Sequence, residues 1–186
     1  PNREDINRVY ALPDGLEKTL NSQKAFSLDY EPDLERTYLT ITSSIRDYFH
    51  KNGFKRAVLG VSGGLDSSVT CVLLADALGP ENIFAISMPS SITSEASKSD
   101  AKELCDNLGV NFAQIPILNM FKTSRDTLDE VFKKVETKWC DRFEASLTND
   151  NIQARSRATI LWGIANEFPK AMPIATSDKS ELYMGY

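Results

Sequence analysis

"KRAVLGVSGGLDSSVTCVLLADALG", Lys55 to Gly79, decides the fold. It opens as a short apolar run of strand character and ends as an apolar-rich helix stopped by a glycine. Between the two, "SGGLD" (Ser62–Asp66) is the turn that joins them. Outward on the carboxyl side, "NIFAISM" (82–88) reads as a second strand and "SEASKSDAKELCDNLG" (94–109) as a second glycine-terminated helix. "NFAQIPI" (111–117) follows as a third strand. On the amino side, Leu34, Tyr38, Ile41, Ile45 and Phe49 recur three or four residues apart, which predicts a helix from Asp33 to Asn52 halted at Gly53. Strands of this length alternating with helices indicate a doubly wound parallel sheet, a three-layer α/β/α arrangement.

Farther along, "RDTLDEVFKKVETKW" (125–139) has the pattern of an amphipathic surface helix and "DNIQARSRATILWGIANEF" (150–168) of a long helix. "AMPIATS" (171–177) reads as a fourth strand. Residues 1–32 are polar and carry the turn signals "LPDG" and "DYEPD", so they read as a leader segment with little regular structure ahead of one domain, 33–186.

Bulk properties narrow the partners. The 186 residues are 41% hydrophobic and 25% charged, and acidic side chains outnumber basic ones 26 to 21, a net charge of −5. Binding to nucleic acid leans on clustered Lys and Arg, so a nucleic-acid partner is disfavoured. No apolar run approaches the ~20 residues a bilayer span requires. Cys71, Cys105 and Cys140 form no C-x-x-C pair, which argues against a disulfide framework or zinc site and for a reducing cytoplasm. The single histidine, His50, sits at a helix end and reads as decoration there rather than as a catalytic group.

The chemistry lies in the turn. At the carboxyl end of a parallel strand such a turn is where ligands bind. Gly63 and Gly64 allow backbone conformations that aim successive N–H groups into one concavity, and the following helix adds its free N–H groups and positive dipole end. Ser62, Ser67 and Ser68 add hydroxyls. The site suits a phosphate-type anion, yet it has neither the Walker G-x-x-x-x-G-K-[ST] spacing nor the dinucleotide G-x-G-x-x-G spacing. Asp66 would face that phosphate and repel it, unless a Mg²⁺ ion bridges the two. The plainer alternative makes Asp66 a cap on an ordinary strand–helix turn.

"SGGLDS" resembles the pyrophosphate-binding loop of the N-type ATP pyrophosphatases, the adenine nucleotide alpha hydrolase-like fold. "MPSSITSEASKSDAKELCDNLGV" (88–110), "NIQARSR" (151–157) and "TSDKSELYMGY" (176–186) together resemble NAD synthetases, the synthetase domain of the glutamine-dependent form above all. The resemblance runs from about residue 34 to the carboxyl end. It implies a ligase that adenylates the nicotinate carboxylate of deamido-NAD with ATP, then lets ammonia, free or from glutamine, displace AMP. It implies ATP binding by Ser62, Gly63, Gly64, Leu65, Asp66, Ser67, Ser68, Val69 and Thr176, and Mg²⁺ ligation by Asp66 and Glu181. It implies deamido-NAD binding by Arg155, joined by Asn151 from the same helical face.

Taken alone, Glu181 reads as a solvated carboxylate, and Arg155 and Arg157 as surface ion-pair partners. The helix face bearing Asn151, Arg155, Trp162 and Asn166 reads as a ligand wall, with Ala154, Ala158, Leu161 and Ala165 as the apolar stripe. The resemblance further implies a homodimer, a glutaminase domain in a longer chain, and a continuation past Tyr186 bearing an aspartate, a lysine and a threonine. Residues 33–186 are accordingly read as a domain lacking its carboxyl end. A tRNA-thiolation or GMP-synthetase-like enzyme would share "SGGLDS", and a nucleotide-binding module without turnover would share it too. The scattered cysteines and acidic charge disfavour a tRNA-thiolation enzyme, and "NIQARSR…TSDKSELYMGY" disfavours a GMP-synthetase-like one.

Overall fold

The computed structural model describes residues 33–90, 95–134 and 145–184. The chain divides into two units, Pro1–Leu34 and Glu35–Tyr186. The leader expected over 1–32 lies outside the described residues, as do Trp139 and Cys140. The fold is that of the second unit.

Four parallel strands form its sheet in the order β3-β2-β1-β4. They are β1 (Arg56–Gly60), β2 (Ile83–Ser87), β3 (Asn111–Gln114) and β4 (Ala171–Ile174). In register, Leu59 lies beside Ala85 on one side and Ile174 on the other. The helices are α1 (Leu34–Asn52), α2 (Leu65–Leu78), α3 (Glu95–Leu108), α4 (Leu118–Lys134), α5 (Ala145–Glu167) and α6 (Lys179–Tyr183).

Side-chain alternation along the strands builds two cores, one on each face. Ala57, Leu59, Ile83 and Ala85 pack with Phe49 of α1, Cys71 and Leu74 of α2, and Ala101 and Cys105 of α3. Val58 and Ile86 face the other way, against Ile117, Ala165 and the partly buried Ile160, Leu161 and Ile164 of α5. Leu59, Ile83, Ile86 and Ile117 are fully buried, each contributing roughly 1.5–3 kcal/mol by leaving water. This is the three-layer α/β/α sandwich expected from the alternation of strands and helices.

Several boundaries move for physical reasons. The third strand stops at Gln114 because Pro116 has no N–H to offer a ladder, although Ile115 N still reaches Ser87 O at 2.8 Å. Helix α4 starts seven residues before Arg125, its first turn tied by Phe121 N to Ile117 O at 3.0 Å. The helix stops anticipated at Gly53, Gly79 and Gly109 take left-handed φ values of +74°, +86° and +70°. Helix α6 was not anticipated. Its signal is "DKSE", where the Asp178 carboxylate accepts from Glu181 N at 2.8 Å, half of a capping box.

Cys71 and Cys105, distant in sequence, meet in the core between α2 and α3, and both are free thiols. Cys105 donates a hydrogen bond to Cys71; that bond first, then burial, raises its pKa well above the usual thiol range. His50 lies exposed in the last turn of α1. Among the described residues no helix is long and apolar enough to cross a membrane.

Candidate functional site

The strand order places the switch point of the sheet between β1 and β4, since the chain winds from β1 through β2 to β3 on one side and then crosses to β4 on the other. In open α/β sheets the crevice outside the carboxyl ends of such strands is where ligands settle. A cavity of about 450 Å³ lies there. It is bordered by Gly60–Ser62 and Ser67 from the first turn, Ser87–Pro89 after β2, and Ile174–Ser177 after β4. One side of α5 closes it.

The turn is wired internally through its serines. Ser67 Oγ donates to Gly64 O at 3.1 Å and accepts from Ser62 N at 3.2 Å. Ser62 Oγ accepts from Gly64 N at 3.1 Å, and Ser68 Oγ donates to Gly64 O at 2.8 Å. These bonds hold the loop open rather than filling it. Among the described residues, no acceptor engages the N–H groups of Gly63, Leu65, Asp66 or Ser67. Free donors gathered at a helix start, with the dipole behind them, are an anion cradle.

The two glycines are not equivalent. Gly63 has φ +81°, and a Cβ there would lie 2.5 Å from the backbone oxygen of Ser97 in α3. Both conformation and space demand glycine. Gly64 is the N-cap of α2 at φ −83°, ψ 163°, extended backbone that any residue adopts. Its smallness matters only toward Ser62 Oγ, 3.2 Å from where its Cβ would stand.

Asp66 stands exposed in the first turn of α2. It does not cap the helix: Gly64 is the N-cap and no side chain completes that cap. Among the described residues no donor or cation engages the Asp66 carboxylate. Leu65 and Val69 are exposed on the same turns of α2, and Ser68 is half-buried.

Thr176 joins Ser62 and Ser67 around the cavity. Glu181 lies beyond it in α6, half-buried, its position fixed by the bond from its N–H to Asp178. Among the described residues no cluster of three metal-ligating side chains exists. Neither Asp66 nor Glu181 is among the residues that border the cavity, although carboxylates are the oxygen donors that Mg²⁺ takes.

Helix α5 distributes its residues differently from the expectation. Asn151 and Arg155 do come together, but in a separate shallow depression with Met120, Ser124 and Thr159. Asn151 Nδ2 spends one donor on Leu147 O at 3.0 Å. The side that faces the loop cavity carries Ala154, Arg157, Ala158 and Leu161. Of the expected apolar stripe, Leu161 and Ala165 pack on the core, whereas Ala154 and Ala158 are exposed as the cavity's wall. Among the described residues neither Arg155 nor Arg157 has an ion-pair partner, so the surface-pair reading has no support. Burial pushes the pKa of Arg157 below the usual guanidinium range.

The structure defines a class of parallel α/β domain that has an anion cradle at its switch point and neither Walker nor dinucleotide glycine spacing. Within that class the chain belongs to the NAD synthase family, whose profile matches residues 37–186. The glutamine-dependent NAD(+) synthetase of Aquifex aeolicus (strain VF5) is 41% identical over 152 residues, covering 82% of this chain and 25% of that protein. The solved structure of glutamine-dependent NAD+ synthetase from Acinetobacter baumannii in complex with ADP superposes at a TM-score of 0.72 with 36% identity. The match takes in 80% of this chain and 26% of that one. The NH3-dependent NAD synthetase from Campylobacter jejuni subsp. jejuni NCTC 11168, in complex with the nitrate ion, superposes at 0.59 with 31% identity, over 80% of this chain and 60% of that one. The chain thus spans about a quarter of the length of the curated relatives it matches, 25% and 28% in two of them.

Proposed function

We propose that this chain carries the synthetase site of an enzyme that makes NAD from deamido-NAD, ATP and ammonia, with ammonia free or released from glutamine. The supporting observation is the meeting of Ser62, Ser67 and Thr176 around one cavity beside a row of unengaged N–H donors. Family membership narrows the anion that such a cradle holds to a nucleotide's phosphates.

The reaction has two steps. An oxygen of the nicotinate carboxylate attacks the α-phosphorus of ATP, and the bond to pyrophosphate breaks. Ammonia then attacks the acyl carbon and loses a proton, while AMP leaves with the C–O electron pair. The free N–H groups of Gly63, Leu65, Asp66 and Ser67, with the Ser62 hydroxyl, hold the β- and γ-phosphoryl groups and stabilise charge building on the departing pyrophosphate. Thr176 contacts ATP from the opposite wall. Ser68 keeps the cradle in shape, since its hydroxyl is committed to Gly64 O. Asp66 and Glu181 would hold Mg²⁺, which when bound supplies charge neutralisation at the phosphates. Asn151 and Arg155, adjoining each other on α5, would engage deamido-NAD away from the ATP cavity.

A homodimer fits the exposed Leu147 and Trp162 of α5, apolar side chains that a partner would cover. Free thiols at Cys71 and Cys105 suit a reducing cytoplasm.

The test incubates the protein, as its own gene encodes it, with ATP, Mg²⁺ and deamido-NAD, plus either an ammonium salt or glutamine. NAD and AMP are followed together by chromatography. Equimolar NAD and AMP are expected, falling about 10²–10³-fold in Asp66→Ala, as loss of several kcal/mol of phosphate neutralisation requires. AMP without NAD would show another adenylating enzyme, and neither product would show a site that only binds.

A further inference from the structure

We infer that Arg157 contacts the α-phosphoryl group of the bound nucleotide, a role that rests on the NAD-synthetase reading of the cavity. Of the two arginines in "NIQARSR", only Arg157 borders the cavity that contains Ser62, Ser67 and Thr176. The two stand two positions apart, roughly 200° around a helix, so they cannot serve one ligand face. Ala154, Arg157, Ala158 and Leu161 follow the i, i+3, i+4, i+7 spacing of a single side. Arg157 is the one charged side chain among the described residues that line this cavity.

Its surroundings leave it an unmet demand. The side chain is half-buried, and among the described residues no carboxylate or carbonyl accepts from it. Withdrawing a cation from water without giving it an anion is costly, and the guanidinium does not escape by deprotonation. A phosphoryl group resolves that cost, because the planar fork of donors matches two of its oxygens. The first turn's N–H groups take the terminal phosphates, so the phosphoryl still without a cation is the α group, where bonds are made and broken. Ala154 and Ala158 flank Arg157 with methyl groups only, leaving room for a nucleotide alongside.

The experiment measures binding of ATP, AMP, adenosine and deamido-NAD by calorimetry to the full protein and to Arg157→Ala, Arg157→Lys and Arg155→Ala. Arg157→Ala is expected to weaken ATP and AMP about 10–100-fold, the usual cost of a charge-assisted pair. Adenosine, which has no phosphate, should change less than about twofold, and Arg155→Ala should leave AMP affinity intact while weakening deamido-NAD. Unchanged AMP affinity in Arg157→Ala overturns the inference, and so does a loss confined to deamido-NAD. Equal losses for adenosine and AMP pass the decision to Arg157→Lys, which keeps stem and charge. Normal melting with AMP weakened several-fold upholds the inference there, and wild-type AMP affinity overturns it. Because binding is read without turnover, the two readings fail separately. A wild type that makes no NAD but binds AMP through Arg157 sinks only the NAD reading. A wild type that makes NAD while Arg157→Ala binds AMP normally sinks only this inference.

Discussion

The sheet has a cavity at each end, and they are alike in size but opposite in chemistry. The one at the carboxyl ends of the strands measures about 450 Å³ and the one at the amino ends about 380 Å³. At the amino end the polar groups are already spoken for. Asn111 Nδ2 bonds Glu81 O at 3.1 Å and Ile83 O at 3.0 Å, and Arg56 Nη1 bonds Pro169 O at 2.8 Å. Phe84 and Phe168 meet edge to face, ring centres 5.8 Å apart. At the carboxyl end the turn after β1 presents N–H groups with no partner among the described residues, and Arg157 borders the cavity there. Volume therefore does not distinguish a binding site from a structural hollow here; unmet hydrogen-bonding capacity does. One end finishes the fold, and the other leaves hydrogen-bonding capacity unmet among the described residues.

That division can be broken by substitution at either end. The largest effect is expected at Gly63→Ala, where a side chain must take φ +81° and meet the Ser97 oxygen. Displacing the cradle by an ångström should cut NAD formation about 10²-fold, with roughly 1–3 kcal/mol lost from stability through strain. Wild-type turnover in this variant would mean the cradle does not hold the phosphates. At the other end, Phe168→Ala should lower stability by about 1–2 kcal/mol through the lost ring pair and area, and leave the affinity for ATP unchanged. Melting and calorimetry on the same sample separate the two. A drop in ATP affinity there would show that the ends are coupled. Asn111→Ala should cost the least, about 1 kcal/mol for hydrogen bonds to Glu81 and Ile83 carbonyls, again with normal nucleotide binding. Denaturant unfolding at constant slope would confirm that only stability has changed.

The same contrast explains what was legible in the sequence. Local rules carried far: the apolar run from Ala57 to Leu59, the glycine stops and the "SGGLD" turn all encode their structure within a few residues. Gly63 is an instance, since a glycine doublet between Ser62 and the "LDSS" helix start signals a tight turn from the residues alone. Orientation around a helix was less legible. Arg155 and Arg157 are chemically identical in the sequence, and only the crossing of α5 over the sheet decides which one meets the cavity. The stripe of alanines misled for a related reason. Ala154 and Ala158 are small enough to line either a core or a nucleotide-sized hollow, and helical spacing says nothing about which. Cys71 and Cys105 came together only because α2 and α3 lie side by side, an arrangement with no trace in their spacing.

The strand order has a consequence for how the chain is born. β1 is flanked by β2, made soon after it, and by β4, in which Arg56 finds its partner Ala171 only near the far end. Ribosomes add about 5–20 residues each second, so the central strand spends on the order of 10 s with one side unpaired while the intervening helices are synthesised. An open strand edge of "RAVLG" is an invitation to pair with a neighbouring nascent chain. Arg56, at the exposed start of that strand, puts a charge where such a pairing would begin.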